Sequence, residues 1–310
     1  MEIVRPDLNF DFVGKRRIFI GISCAAVLLS ILLLAARGLN YGIDFVGGTI
    51  VQVAFKEKKP IGDVRRVVSG LNLGDTVIQE FGSDREFLIR VGQLKGSAES
   101  ADKRITDALA GTFGRASFEM RRTESVGPQV GDDLKRKAMS SVIFAWLGIL
   151  IYVGLRFRFV PAAASIIALI HDVIITLGAF ALTGKEFSLP IVAAVLTIIG
   201  YSINDTIVVF DRIRENTRLS RRSELGEVIN ASINQTLSRT ILTAGTTMIT
   251  VLAFLFLGGE VISDFAFALA VGIVVGTYSS VYVASPILLA FPGYSGGLSA
   301  PRRKKAAARS

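Results

Sequence analysis

The stretch PIVAAVLTIIGYSINDTIVVFDRIREN, Pro190 to Asn216, sets the terms for the rest of the chain. It begins as membrane-grade hydrophobic sequence, takes Asn204 and Asp205 into its second half, and leaves as the charged run Asp211-Arg212-Ile213-Arg214-Glu215. A carboxylate near hydrocarbon costs roughly 2.5–3.5 kcal/mol on insertion scales, so Asp205 requires a partner, water or a protonation role. The neighbouring spans have to provide one.

Of 310 residues, 51% are hydrophobic, and the mean hydropathy of +0.51 is too high for a soluble domain of this size. Apolar runs at 18–36, 138–155, 160–183, 189–210, 240–257 and 262–290 predict six transmembrane helices. The first has 19 residues, longer than a signal-peptide core, and is read as a retained span behind an N-terminus of 1–17. Short segments on one side (1–17, 156–159, 211–239 and 291–310) carry seventeen Lys and Arg, against Lys185 alone on the other. That asymmetry predicts both termini in the cytoplasm and 37–137 outside.

The outer segment alternates in hydropathy like a strand at 48–55, turns helical over 60–71, and gives a strand pair at 75–81 and 86–91 around Gly82. A second helix over 98–113 and a strand at 115–122 complete the order strand, helix, strand, strand, helix, strand. That order is the α+β ferredoxin-like arrangement. YGIDFVGGT (41–49) and ESVGPQVGDDL (124–134) read as turn-rich linkers between this domain and the first two spans. Residues 223–237 have helical apolar spacing and predict an amphipathic helix on the membrane surface, within the cytoplasmic segment 211–239. The basic tail 291–310 suits anionic lipid.

Several chemistries are excluded. The chain has one cysteine, Cys24, and one histidine, His171, so disulfides and Cys or His metal clusters are not expected. No phosphate loop, HExxH or nucleophile elbow occurs, so no enzyme and no cofactor is predicted, and nothing points to nucleic acid. Work done by such a protein would draw on a membrane gradient.

The polar residues inside the spans are therefore the candidates. His171-Asp172 lies in span three, Asn204-Asp205 in span four, and Arg239 opens span five, where Thr243, Thr246 and Thr250 continue its face. An Asp that changes charge beside a fixed Arg suits a proton path. The alternative is a static Asp205–Arg239 salt bridge that fixes packing, with the threonines bonded to backbone carbonyls. His171 reads equally as a satisfied core histidine. In span six Ala268, Gly272, Gly276 and Ser280 recur every four residues as a ridge for close packing. Spans four and six would leave small and polar residues toward lipid, so the chain is expected to need a partner.

YGIDFVGGT, ESVGPQVGDDL, IALIHDVIITLG, IIGYSINDTIVVFDRIREN and QTLSRTILTAGTT together resemble the SecF branch of the SecD/SecF protein-export family, in the resistance-nodulation-division superfamily. The resemblance runs from about residue 7 to 290. It implies a bacterial inner-membrane subunit paired with SecD beside the SecYEG channel and YajC, acting on translocating preprotein with the proton-motive force. It also implies a proton relay at Asp205 and Arg239, with His171 and Asp172 as pore-side polar residues and Gly42, Asp44, Gly47 and Gly48 as a structural signature. The competing functions are a proton-coupled exporter of small molecules and a passive scaffold. Topology is testable directly: cysteines placed singly at Ser97 and Ser299 should label from opposite sides of the membrane, and labelling from one side refutes the map.

Overall fold

The computed structural model describes residues 9–74, 76–92, 101–157, 159–219 and 223–291. The basic tail, the first eight residues and the start of the expected helix over 98–113 lie outside these.

Among the described residues, six helices are long and apolar enough to cross a membrane. They are α1 (Arg16–Arg37), α5 (Pro128–Arg156), α6 (Phe159–Thr183), α7 (Leu189–Leu219), α8 (Leu225–Leu257), and a sixth made of α9 (Gly259–Ser279), a wide π turn at Ser280–Ala284 and α10 (Ser285–Ala290). Between α1 and α5 stands the α+β unit: β2 (Gly48–Phe55), α3 (Ile61–Ser69), β3 (Thr76–Phe81), β4 (Ser83–Val91), α4 (Ala101–Phe113) and β5 (Phe118–Val126). The sheet order is β3-β4-β2-β5, all antiparallel, which is the ferredoxin-like topology the sequence pattern predicts.

Strand and helix periodicities converge on one core. Val51, Val53, Phe87 and Ile89 alternate inward from β2 and β4, while Val64 and Val68 of α3 and Ile105 and Leu109 of α4 recur at helical spacing to cover them. Each of these is fully buried. β2 starts at Gly48 with φ +132, where a Cβ would lie 2.5 Å from the Val91 carbonyl oxygen, so glycine alone fits.

Both linkers differ from the expectation. After α1 the chain forms a two-residue strand β1 (Asn40–Tyr41) and one helical turn α2 (Ile43–Val46). β1 pairs in parallel with β6 (Glu186–Phe187), the loop between α6 and α7. At the other linker Gly127 alone separates β5 from α5, because Pro128 takes the first helical position, where its missing N–H is no loss. The glycines and proline of 124–134 thus end a strand and start a helix rather than make a flexible tether.

The segment 211–239 also differs. No separate surface helix forms: its first part extends α7 to Leu219, and residues from Leu225 onward begin α8 without a break. The apolar face expected on lipid is satisfied by protein instead, since Ile229 and Ile233 pack with Ile213 and Val13. Asn230 and Asn234 hold the segment before α1 there, Asn230 Oδ1 accepting from Phe12 N at 2.9 Å and Asn234 Oδ1 from Phe10 N at 2.8 Å.

The self-contained core of the α+β unit makes a prediction. A fragment of residues 40–130 should unfold cooperatively in denaturant, and Phe87→Ala should cost it about 3–5 kcal/mol. A fragment that shows no cooperative transition would show that the bundle holds the domain together.

Candidate functional site

The intramembrane polar residues separate into two clusters. The first centres on Asp172 of α6, 1% exposed. His171 Nδ1 donates to its Oδ1 at 2.8 Å, and Ser202 of α7 and Ser279 of α9 both donate to Oδ2, at 2.6 and 2.8 Å. The His171 ring stacks on Tyr278 at 6.2 Å, and Tyr278 hydroxyl reaches Ser23 and the Phe19 carbonyl of α1. Three helices, α6, α7 and α9, therefore meet on one carboxylate, and Tyr278 ties α1 to the same cluster. Nε2 of His171 is buried without a partner, so the core reading of that residue holds for one ring nitrogen only.

The small ridge permits this approach. A Cβ on Gly272 would lie 2.3 Å from Ile198, and one on Gly276 would lie 3.0 Å from Ser202. Ser280, next along the ridge, bonds Thr206 at 2.9 Å. The ridge of span six thus lies against Ile198, Ser202 and Thr206 of α7, four residues apart, rather than toward lipid as the sequence pattern suggested.

The second cluster surrounds Asp205, one turn further along α7 and 4% exposed. Its Oδ2 is buried with no hydrogen-bond partner, and so are Thr277 Oγ1 and Tyr201 hydroxyl. The groups near enough to act on the carboxylate are Thr277 of α9 and Arg239 of α8. No bond is closed between these three: Thr277 stays unpartnered, and no ion pair within 4.0 Å joins Asp205 to Arg239 among the described residues. The static salt bridge is therefore not formed in this state. A buried carboxylate with spare acceptor capacity, beside two spare hydroxyls, is open to change in a way that Asp172 is not.

Arg239, Thr246 and Asn204 face outward, and Thr243 is half-buried. Thr243 hydroxyl donates to the Arg239 carbonyl at 2.9 Å and Thr246 hydroxyl to the Leu242 carbonyl at 2.9 Å, so the threonines bond their own helix. On α7, Ala193, Thr197, Gly200 and Asn204 form an exposed face of small and polar residues, whereas α5 exposes Ile143, Phe144, Leu147 and Ile151. Two kinds of surface follow: α5 suits lipid, and this face of α7 suits another polypeptide.

The signature residues sit at the other end of α7. Gly42 N donates to the Phe187 carbonyl at 2.9 Å, Gly47 N to the Ile43 carbonyl at 2.8 Å, and Asp44 Oδ2 accepts the Leu189 N–H at 2.9 Å. Asp44 thereby satisfies a free N–H in the first turn of α7, where Pro190 carries none and the Ile191 N–H bonds the Ser188 carbonyl.

A family model described as "Protein export membrane protein SecD/SecF, C-terminal" matches residues 105–293, and a second, "SecD/SecF GG Motif", matches 32–59. The chain belongs to the SecD/SecF family. Proteins called protein translocase subunit SecF are similar to it along nearly their whole length. That of Calditerrivibrio nitroreducens is 46% identical over 291 residues, 93% of this chain and 96% of the relative. That of Vibrio alginolyticus is 43% identical over 289 residues, 93% and 91%. The crystal structure of SecDF, a translocon-associated membrane protein from Thermus thermophilus, superposes with TM-score 0.82 at 41% identity. It covers 93% of this chain, which spans 39% of that longer one. SecDF in a super-membrane-facing form gives TM-score 0.68 at the same identity, over 94% and 39%. As in those relatives, the fold is that of a multi-pass membrane protein, and the SecF proteins are called translocase subunits.

Ser202, Ser279, Thr277 and Tyr201 were not among the sequence candidates. The run Thr277-Tyr278-Ser279-Ser280 in an otherwise apolar span was the signal for two of these four, Thr277 and Ser279. Asp172→Leu should strand Ser202 and His171 Nδ1 without an acceptor, while Ser279 keeps the Gly276 carbonyl at 3.1 Å. At roughly 1–3 kcal/mol per stranded group, the detergent-solubilised protein should melt clearly lower. An unchanged melting temperature would mean the cluster does not hold the bundle.

Proposed function

We propose that this chain is a subunit of the Sec preprotein translocase that works with SecD, using the proton-motive force to promote late steps of export across the bacterial inner membrane. The observation that carries the reading is Asp205: a carboxylate buried among helices, left with an unpartnered oxygen, within the field of an outward-facing arginine. Both termini are assigned to the cytoplasm on charge asymmetry, which places the α+β unit outside.

Arginine does not give up its proton in a protein, so the titrating member has to be the carboxylate. Approach of Arg239 stabilises the ionised form, whereas withdrawal leaves a buried group that is cheaper neutral. Alternation between the two arrangements binds and releases one proton. The spare hydroxyls of Thr277 and Tyr201 supply donors and acceptors along the way, and Asn204, Thr243 and Thr246 line the face on which a SecD-like half would close the path. Exposed Thr197, Gly200 and Asn204 favour such a partner over lipid, and SecYEG with the emerging preprotein is the assembly it would serve.

Asp205→Asn keeps size and hydrogen bonding but cannot titrate. Inner-membrane vesicles carrying it should assemble the complex normally yet lose the stimulation of preprotein export by a proton gradient, and Arg239→Met should do the same. Export that keeps its full gradient dependence in Asp205→Asn would reduce the cluster to a packing device.

A further inference from the structure

The node that joins the α+β unit to α7 has a use that the signature alone does not reveal. Arg90, on β4, is the residue of 48–126 whose side chain bonds outside the unit, among the described residues. Its guanidinium donates to the Tyr41 carbonyl of β1, and it lies 3.8 Å from Glu186 of β6. It therefore grips both members of the parallel β1–β6 pair at once. Two residues beyond β6 the Leu189 N–H is held by Asp44, which belongs to the turn just before β2. From the sheet to the first residue of α7 the path is continuous: β4, Arg90, Glu186 and Tyr41, then Asp44 and Leu189.

We infer that Arg90, Glu186 and Asp44 form a clasp that fixes the outer unit to the head of α7, so that opening the clasp frees the unit and moves the helix that carries Asp205. These are positioning residues, and this use of them rests on the proton-relay reading above. The α+β unit has two covalent exits, β2 to α2 through Gly47 and β5 to α5 through Gly127, and a single glycine at each lets the unit turn while keeping it close to the helices. A side-chain clasp is the element that can open without breaking backbone structure.

The groups facing Glu186 are Arg90 from β4, Asp44 from α2, Asp264 from α9 and its own neighbour Lys185. Lys185 is engaged by Asp264 at 2.5 Å, which leaves Arg90 as the cation for Glu186. Burial pushes the Glu186 carboxyl above the usual range, helped by the negative charge of Asp44 and Asp264 and opposed by Arg90. Because burial in the closed clasp raises the Glu186 carboxyl, the closed form binds the proton more tightly than an exposed glutamate would, so acidification of the outer side favours the closed clasp and rising pH favours its opening.

Distances between spin labels test this. In full-length protein with its co-purified partner in liposomes, with exposed Cys24 replaced by serine, labels go on Lys103 of α4 and Leu182 at the end of α6. The expected result is one short distance population at acidic outer pH and a second, longer one as the outer pH rises. Arg90→Ala and Asp44→Ala should show the longer population already at acidic pH, whereas Arg90→Lys and Asp44→Asn, which retain a donor or an acceptor, should restore the short one. Glu186→Gln should remove the pH response. A single distance in Arg90→Ala, or a pH response that survives Glu186→Gln, overturns the clasp. The distances do not depend on export, so a relay disproved by Asp205→Asn would leave this result standing on its own.

Discussion

Close approach of the sixth span to α7 is the constraint on which the bundle depends. At Gly272 and Gly276 the two helices come near enough that any side chain would collide with Ile198 or Ser202. That proximity is also what lets Ser202 and Ser279 reach the same oxygen of Asp172. In a membrane apolar burial gives little net drive between helices, so packing contact and polar bonds have to hold them together. Here both are concentrated along one seam.

The seam treats its two carboxylates unequally. Asp172 receives three donors and ties three helices together, while Asp205, 33 residues later in the chain, sits where donors are near but unengaged. Had both been saturated, the bundle would be rigid and nothing in it could change charge cheaply. Had both been bare, the helices would lack a fixed point. A firm cluster beside a loose one gives a lever and its pivot.

Much of this was legible in the sequence. Period-two and period-3.6 patterns are local, so the order of strands and helices in the outer unit could be read from residues 48–122 alone. Asp205 stood out because charge in an apolar run is costly anywhere. What could not be read were matters of pairing. The role of Asp44 depends on Leu189, 145 residues away, and no spacing rule links them. The amphipathic pattern at 223–237 was correctly apolar on one face, yet hydropathy does not say whether lipid or Ile213 and Val13 will cover that face. Likewise ESVGPQVGDDL contains turn residues, but the same proline that breaks helices internally starts them at the first position.

The wide turn at Ser280–Ala284 answers a geometric problem set by the ridge. The stripe continues past Ser280 to Ala284 and Leu288, so six buried positions recur at intervals of four. A regular helix turns about 100° per residue, and a four-residue interval therefore overshoots by about 40° each time. Over five intervals that drift would carry the stripe more than half-way round the cylinder, and Leu288 would point away from the neighbours that Ala268 faces. A turn that holds more than four residues takes back part of the rotation in one place, with the Ser285 hydroxyl donating to the Ser280 carbonyl across it at 2.7 Å. The local unwinding acts as a phase correction, and it is why a straight span can keep a period that would otherwise demand a supercoil.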